Sequence, residues 1–142
     1  MATDGLTTEG DHPAQDNLKL VRQHYAAFAN GDLDGVIDGL DPDVVITLRD
    51  EHGTAAGEPI RGRDEARAFF EGIEATVTHS TVEIERLRAD ENRVLAQVSI
   101  GGTLRDTGRT GAIPAVHLFT ILDGLITQIR THRPEWRPET TL

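Results

Sequence analysis

The sequence predicts an α+β domain in which a cone-shaped, strongly curved antiparallel sheet wraps around three helices of the N-terminal half. Three observations carry this. Helical periodicities are concentrated early in the chain, and strand-like alternation is concentrated late. The last two apolar runs flank Asp123-Gly124, the dipeptide best suited to a two-residue type I′ hairpin turn. At 142 residues the chain is long enough for one domain with a real core. The expected element order is ααβαββββ, with no internal repeat and no low-complexity tract.

Residues 1–15 are polar, with Gly, Thr, Asp and Pro and no apolar period, and are expected to form a disordered leader. A single domain then occupies residues 16–138. Asp16 is a plausible N-cap for a first helix, on which Leu18, Val21, Tyr25 and Phe28 recur at helical spacing. Asn30-Gly31 supplies the left-handed C-cap that ends it. Asp32 caps a short second helix, Leu33 to Leu40, which Asp41-Pro42 breaks. Asp43 to Asp50 reads as a strand with Val44, Ile46, Leu48 and Asp50 on one face. Glu51 to Gly62, with three glycines, two alanines and a proline, is expected as a loop on a pocket rim. Asp64 to Ile73 places Ala66, Phe69, Phe70 and Ile73 on one helical stripe, with acids in the first turn where the helix dipole favours them. Strands over 79–88 and 93–104 follow, joined by the turn at residues 89–92. Residues 105–112 connect them to the closing hairpin.

If Asp123 and Gly124 are the turn, uninterrupted pairing sets Leu122 opposite Leu125, Ile121 opposite Ile126, Phe119 opposite Gln128 and His117 opposite Arg130. One face then carries His117, Phe119, Ile121, Ile126, Gln128, Arg130 and His132. The other carries Val116, Leu118, Leu122, Leu125 and Ile129. With apolar groups on both faces, one face is expected to border a pocket and the other to pair with a second copy as a homodimer.

Composition narrows the function. The chain has 24 acidic and 14 basic residues, a formal charge of -10 and a pI near 4.9. That balance disfavours nucleic acid and anionic membrane as partners. There is no cysteine, hence no disulfide, thiolate metal site or Cys nucleophile. No stretch reads as a secretory signal or a membrane span, so a cytoplasmic location is the default. His12, His52 and His79 make no metal-ligand spacing, and the glycines make no phosphate-binding loop, so neither a metal nor a cofactor is expected.

Four segments, Tyr25 to Ile46, Ile60 to Phe70, Gly101 to Gly111 and Val116 to Arg130, resemble the nuclear transport factor 2-like superfamily in order and spacing. That superfamily includes ketosteroid isomerases and SnoaL-like polyketide cyclases. The resemblance implies the cone fold and an interior pocket for a small apolar, oxygen-bearing substrate, polyketide- or steroid-like. The implied activity is a cofactor-independent cyclase or isomerase working by acid-base or conformational catalysis. A non-catalytic ligand-binding or dimerisation module, or an epoxide hydrolase or dehydratase of the same fold, is the alternative. In an ungapped match the isomerase base falls on Leu48, its phenol on His24 beside Tyr25, and its hairpin acid near His117. His117 also resembles the histidine of the SnoaL-like His-x-Phe-x-x-x-Asp-Gly pattern. The carboxylate of those cyclases falls around Arg130 to His132, where no acid stands.

His117, in an otherwise apolar strand, is the leading catalytic candidate. An imidazole there is costly unless bonded, so it either serves a substrate oxygen or is satisfied by a neighbour. Arg130, Tyr25, His24 and Asp50 complete the catalytic set, each with a bland alternative: surface arginine, core aromatic, core histidine and polar strand end. Leu48, Phe28, Phe69, Phe119, Gln128, His132 and Trp136 are the expected substrate-binding residues.

Overall fold

The computed structural model describes residues 2–49 and 57–132, with side chains described from residue 14 onward. Three helices and six strands follow in the order α1 (Ala2–Ala29), α2 (Leu33–Asp38), β1 (Leu40–Arg49), β2 (Ile60–Arg61), α3 (Gly62–Thr76), β3 (Val77–Asp90), β4 (Arg93–Leu104), β5 (Thr110–Leu122) and β6 (Leu125–His132). The expected helices and strands are present, with two differences in the first half. The first concerns Asp16, which lies within α1 rather than capping it. The second difference is β2, a two-residue strand inside the expected loop, which pairs with β1 through Val45 and Ile46.

Local chemistry explains the breaks. Gly31 takes φ +70°, and the Gly31 amide bonds Phe28 O at 3.1 Å while the Asp32 amide bonds Ala27 O at 2.8 Å. This is the paired 5→2 and 6→1 closure of a Schellman motif. Asp32 then caps α2, accepting the Gly35 amide at 3.0 Å. The Arg63 guanidinium, in the first turn of α3, donates to Leu40 O at 2.9 and 2.6 Å. That clamp fixes α3 against the start of β1.

The sheet order is β2-β1-β6-β5-β4-β3, and it curves without closing. All its pairings are antiparallel except β1 with β6, which is parallel, so the sheet is mixed at that seam. The core forms where α1, α2 and α3 face the concave side, with Val21, Leu40, Ile46, Phe119 and Ile126 fully buried.

The closing hairpin begins as expected. Asp123 and Gly124 have φ 52° and 78°, the positive values a type I′ turn needs. Leu122 pairs with Leu125 and Ile121 with Ile126, but Thr120 pairs with Gln128. Thr127 is therefore an extra residue, a β-bulge, and its hydroxyl donates to Thr120 O at 3.2 Å. Everything beyond it is displaced by one, so Phe119 faces Ile129, Leu118 faces Arg130 and His117 faces Thr131. A one-residue shift exchanges the faces of a strand. Ile129 and Thr131 accordingly turn inward, and Gln128, Arg130 and His132 do not.

Removing Thr127 should leave Gln128 opposite Thr120 and Ile129 opposite Phe119 in an uninterrupted ladder, with Ile129 still inward and Arg130 still outward. Urea denaturation of the deletion variant should therefore show a cooperative transition and a loss of about 1 kcal/mol or less. A loss of about 3 kcal/mol or more, or no cooperative transition, would show that Thr127 is not simply the extra residue of the hairpin.

Candidate functional site

A cavity of about 660 Å³ opens between the helices and the concave face of the sheet. Its closed end is built from two rows of side chains that cross β1, β6 and β5. In one row Ile46, Ile129 and Phe119 stand side by side, and in the next Leu48, Thr131 and His117 do. α1 lays its Val21, His24, Tyr25 and Phe28 face over these rows, as the i, i+3, i+4, i+7 spacing dictates. α3 adds Phe69 and Phe70. Toward the mouth the wall becomes small, with Gly101, Gly102, Gly111 and Ala112.

The polar groups meet at the closed end. The Tyr25 hydroxyl lies 2.6 Å from His117 Nδ1, and the two rings stack with centroids 5.8 Å apart. Phe119 meets Tyr25, His24 and His117 edge-on at 5.7, 5.5 and 6.1 Å. Burial lowers the His117 pKa from 6.5 to about 4 and raises that of the Tyr25 phenol well above its ordinary range. Both groups are neutral at neutral pH. The contact is met either by the Tyr25 O–H donating to His117 Nδ1 or by an Nδ1–H donating to the Tyr25 oxygen. In the first arrangement the imidazole is the Nε2–H tautomer, and that N–H is its free donor.

His24 lies in the same cluster and has no such partner. It is 9% exposed, and its Nδ1 is buried without a hydrogen bond, the one such side-chain atom among the described residues. Burial first, and the proximity of His117 second, lower its pKa to about 4. The closed end therefore holds two neutral imidazoles and a neutral phenol within an aromatic wall. Among the described residues no aspartate or glutamate lines the cavity, and no group of His, Asp or Glu gathers at metal-binding spacing.

Of the residues singled out from sequence, His117, Tyr25, His24, Leu48, Phe28, Phe69 and Phe119 line this cavity. Arg130 does not: the bulge turns it to the outer face, where it is exposed opposite Leu118. Gln128 and His132 leave the cavity face for the same reason. Asp50 and Trp136 lie outside the described residues. Sequence reasoning missed Thr131, which occupies the place assigned to Arg130 and whose hydroxyl lies 3.5 Å from Thr47 O. It also missed Arg49 and Arg109 on the wall. One signal for Thr131 was present. Ile126 and Ile129 are apolar at an odd spacing, and in a half-buried strand both reach the core only if a residue bulges between them.

A curved, unclosed sheet wrapped over N-terminal helices, with an apolar pocket inside, defines the class as nuclear transport factor 2-like. Within that class the chain belongs to the SnoaL-like domain family, whose model matches residues 21–129. Among solved structures it resembles a candidate polyketide cyclase from Xanthomonas campestris pv. campestris, at 24% identity and TM-score 0.75, covering 84% of this chain and 91% of that one. An LEH-like epoxide hydrolase of M. tuberculosis aligns at 22% identity and TM-score 0.71, covering 84% of both chains. A candidate ketosteroid isomerase from Kribbella flavida aligns at 21% identity and TM-score 0.69, covering 88% of this chain and 83% of that one. At such identities the likeness establishes the fold. Among curated proteins no sequence matches significantly. No helix among the described residues is long and apolar enough to cross a membrane.

The two histidines make stability depend on pH in a defined window. Their folded pKa values, about 4, lie below the unfolded value near 6.5, so the unfolded chain binds more protons between the two. Stability is complete above about pH 6.5 and falls as pH drops toward 4, by about 3 kcal/mol per histidine at most. His24→Phe removes one titrating group and the orphaned Nδ1. In chemical denaturation it should raise stability at neutral pH by about 1 kcal/mol and flatten the acid-side loss relative to the parent. An unchanged pH dependence would mean that His24 is not buried neutral.

Proposed function

We propose that the protein is a cofactor-independent cyclase or isomerase of secondary metabolism, acting in the cytoplasm on a small apolar, carbonyl-bearing substrate of polyketide-like character. The observation that carries this reading is the Tyr25–His117 pair at the closed end of an apolar cavity. On this reading the Tyr25 proton fixes the His117 tautomer, so the Nε2–H is pre-aimed as a donor to a substrate oxygen. A neutral N–H in a dry pocket stabilises negative charge developing on a carbonyl oxygen without surrendering its own proton, and no reorganisation is required at that moment. His24, unprotonated above about pH 4, supplies a second neutral imidazole that accepts a proton from an adjacent carbon. Phe119, Phe28, Phe69 and Leu48 hold the carbon skeleton, and for a reactive polyene or polyketone this confinement contributes much of the rate. Leu48 stands where the isomerase resemblance puts a carboxylate, which favours the donor-plus-confinement mechanism over a carboxylate base. Arg130, turned outward, has no part in it.

Solvent-deuterium exchange into the α-carbons of 2-tetralone, a compact apolar ketone, followed by NMR, tests the reading. His117→Ala should slow exchange by about 100-fold or more. His117→Gln, which keeps an N–H donor but cannot relay a proton, should stay within about 10-fold of the parent, whereas a proton-shuttle role would put it level with alanine. Tyr25→Phe frees the tautomer and should fall between them. Full activity in a well-folded His117→Ala would remove His117 from the mechanism, and no catalysed exchange by the parent would leave a binding module as the better reading.

We also propose a homodimer through the outer face of the sheet, where Leu95 is 39% and Leu122 47% exposed and Val116 and Leu118 are half-buried. The bulge makes this face more polar than expected, because it exchanges Ile129 for Arg130. Sedimentation equilibrium should show a dimer at micromolar concentration, and a monomer there would overturn the assembly.

A further inference from the structure

The charge along the cavity wall differs from the charge of the chain. The protein carries a formal charge of -10, yet the described wall includes Arg49 and Arg109 and no carboxylate. Their positions are fixed by the sheet. Arg49 ends β1, one residue beyond the Leu48–Thr131–His117 row. Arg109 immediately precedes β5, on the side of His117 away from the buried Phe119. Between Arg109 and His117 the wall is Thr110, Gly111, Ala112, Ile113 and Ala115, small or apolar and without charge. The backbone of the Arg109 turn is held independently of its guanidinium: Arg109 O accepts from the Leu104 amide at 2.8 Å, and the Arg109 amide donates to Thr107 Oγ1 at 3.2 Å. The guanidinium has no ion-pair partner among the described residues, although Asp106 lies in the same turn.

We propose that the cavity takes an amphipathic organic acid: an oxygen function at the His117 end, an extended apolar body along β5, and a carboxylate at the mouth held by Arg109. This rests on the reading of the cavity as a ligand site and names the substrate class for it. Eight residue steps along the strand lead from Arg109 to His117, about 27 Å if fully extended. Curvature of the sheet and the reach of the arginine side chain shorten the gap to the order of 15–20 Å, the length of a medium acyl chain or a small polycyclic acid. An arginine matches a carboxylate with two parallel N–H donors, and at the rim of a low-dielectric cavity that pairing is stronger than on an open surface. In a chain repelling anions overall, the rim is where an acid can enter.

The test is displacement of Nile red, a neutral apolar dye, from the full chain by dodecanoate and by dodecan-1-ol at low ionic strength. Dodecanoate should bind about 10-fold more tightly than the alcohol, the worth of one charge-assisted contact. Arg109→Gln should abolish that preference while leaving the alcohol unaffected, and Arg109→Glu should reverse it. Equal affinity for the two compounds in the parent, or a preference that survives Arg109→Gln, would overturn the anionic anchor and leave the apolar pocket standing. Failure of both compounds to displace a bound dye would overturn the anchor and the ligand-site reading together.

Discussion

The cavity of this protein depends on one extra residue in its closing hairpin. A type I′ turn at Asp123-Gly124 brings β5 and β6 into pairing, but pairing without interruption would aim Gln128, Arg130 and His132 at the core and send Ile129 to solvent. The bulge at Thr127 reverses that, because side chains alternate with a period of two and a single inserted residue is half a period. Its consequence reaches β1, which pairs in parallel with the displaced half of β6. The Leu48–Thr131–His117 row exists only because the displacement has already occurred. A charged guanidinium in that row would stand beside two histidines within an aromatic wall, and its burial would cost more than any contact there could return.

With the row in place, α1 completes the site. Tyr25 and His24 occupy consecutive positions on a helical face that is otherwise Val21 and Phe28, so the same packing that buries the aliphatic stripe buries both polar rings. Tyr25 finds His117 and each satisfies the other. His24 finds rings only, with Tyr25, Phe70 and Phe119 meeting it edge-on. The asymmetry is informative, because a core selected for stability alone would have an apolar ring at position 24. Departures of this kind from local consistency concentrate where a protein binds or reacts.

Much of this was legible beforehand, and the parts that were not share a cause. Turn chemistry at Gly31, Asp32 and Asp123-Gly124 fixed the element ends, since each of those residues has a local conformational reason to be there. Helical and strand periods identified Val21, Tyr25, Phe28, Ile46, Leu48, Phe119 and His117 as one interior. The pairing of Tyr25 with His117 was not visible, because it joins residues 92 apart in sequence and follows from the tilt of α1 across the sheet. Thr131, Arg130 and the parallel β1–β6 seam were misjudged for a different reason. A bulge has no composition of its own, and only the odd interval between Ile126 and Ile129 betrays it. Arg109 was passed over because a Gly/Thr/Arg connection reads as solvent-facing until the curvature of the sheet folds its end over the cavity.

The arrangement also explains how a pocket with few ionisable groups can still be selective. Its closed end is electrically neutral near pH 7, since both imidazoles and the phenol are held uncharged by burial, so a substrate oxygen there meets oriented dipoles rather than ions. Among the described residues its wall also includes the Arg109 guanidinium. A ligand with a charge at the closed end, or with its polarity reversed, would strand that charge among Phe119, Phe70 and Leu48 without a counter-ion, at a cost of several kcal/mol. On the proposed acid-binding reading, direction of entry would be set by repulsion from the apolar end as much as by attraction to Arg109, and rejection of the wrong orientation would need no additional residue. The same neutrality limits the chemistry. Two weakly basic histidines are poor at removing an unactivated proton, so on the proposed catalytic reading the substrates would be those already acidified beside a carbonyl or already poised to close, for which a fixed N–H donor and a shaped wall would suffice.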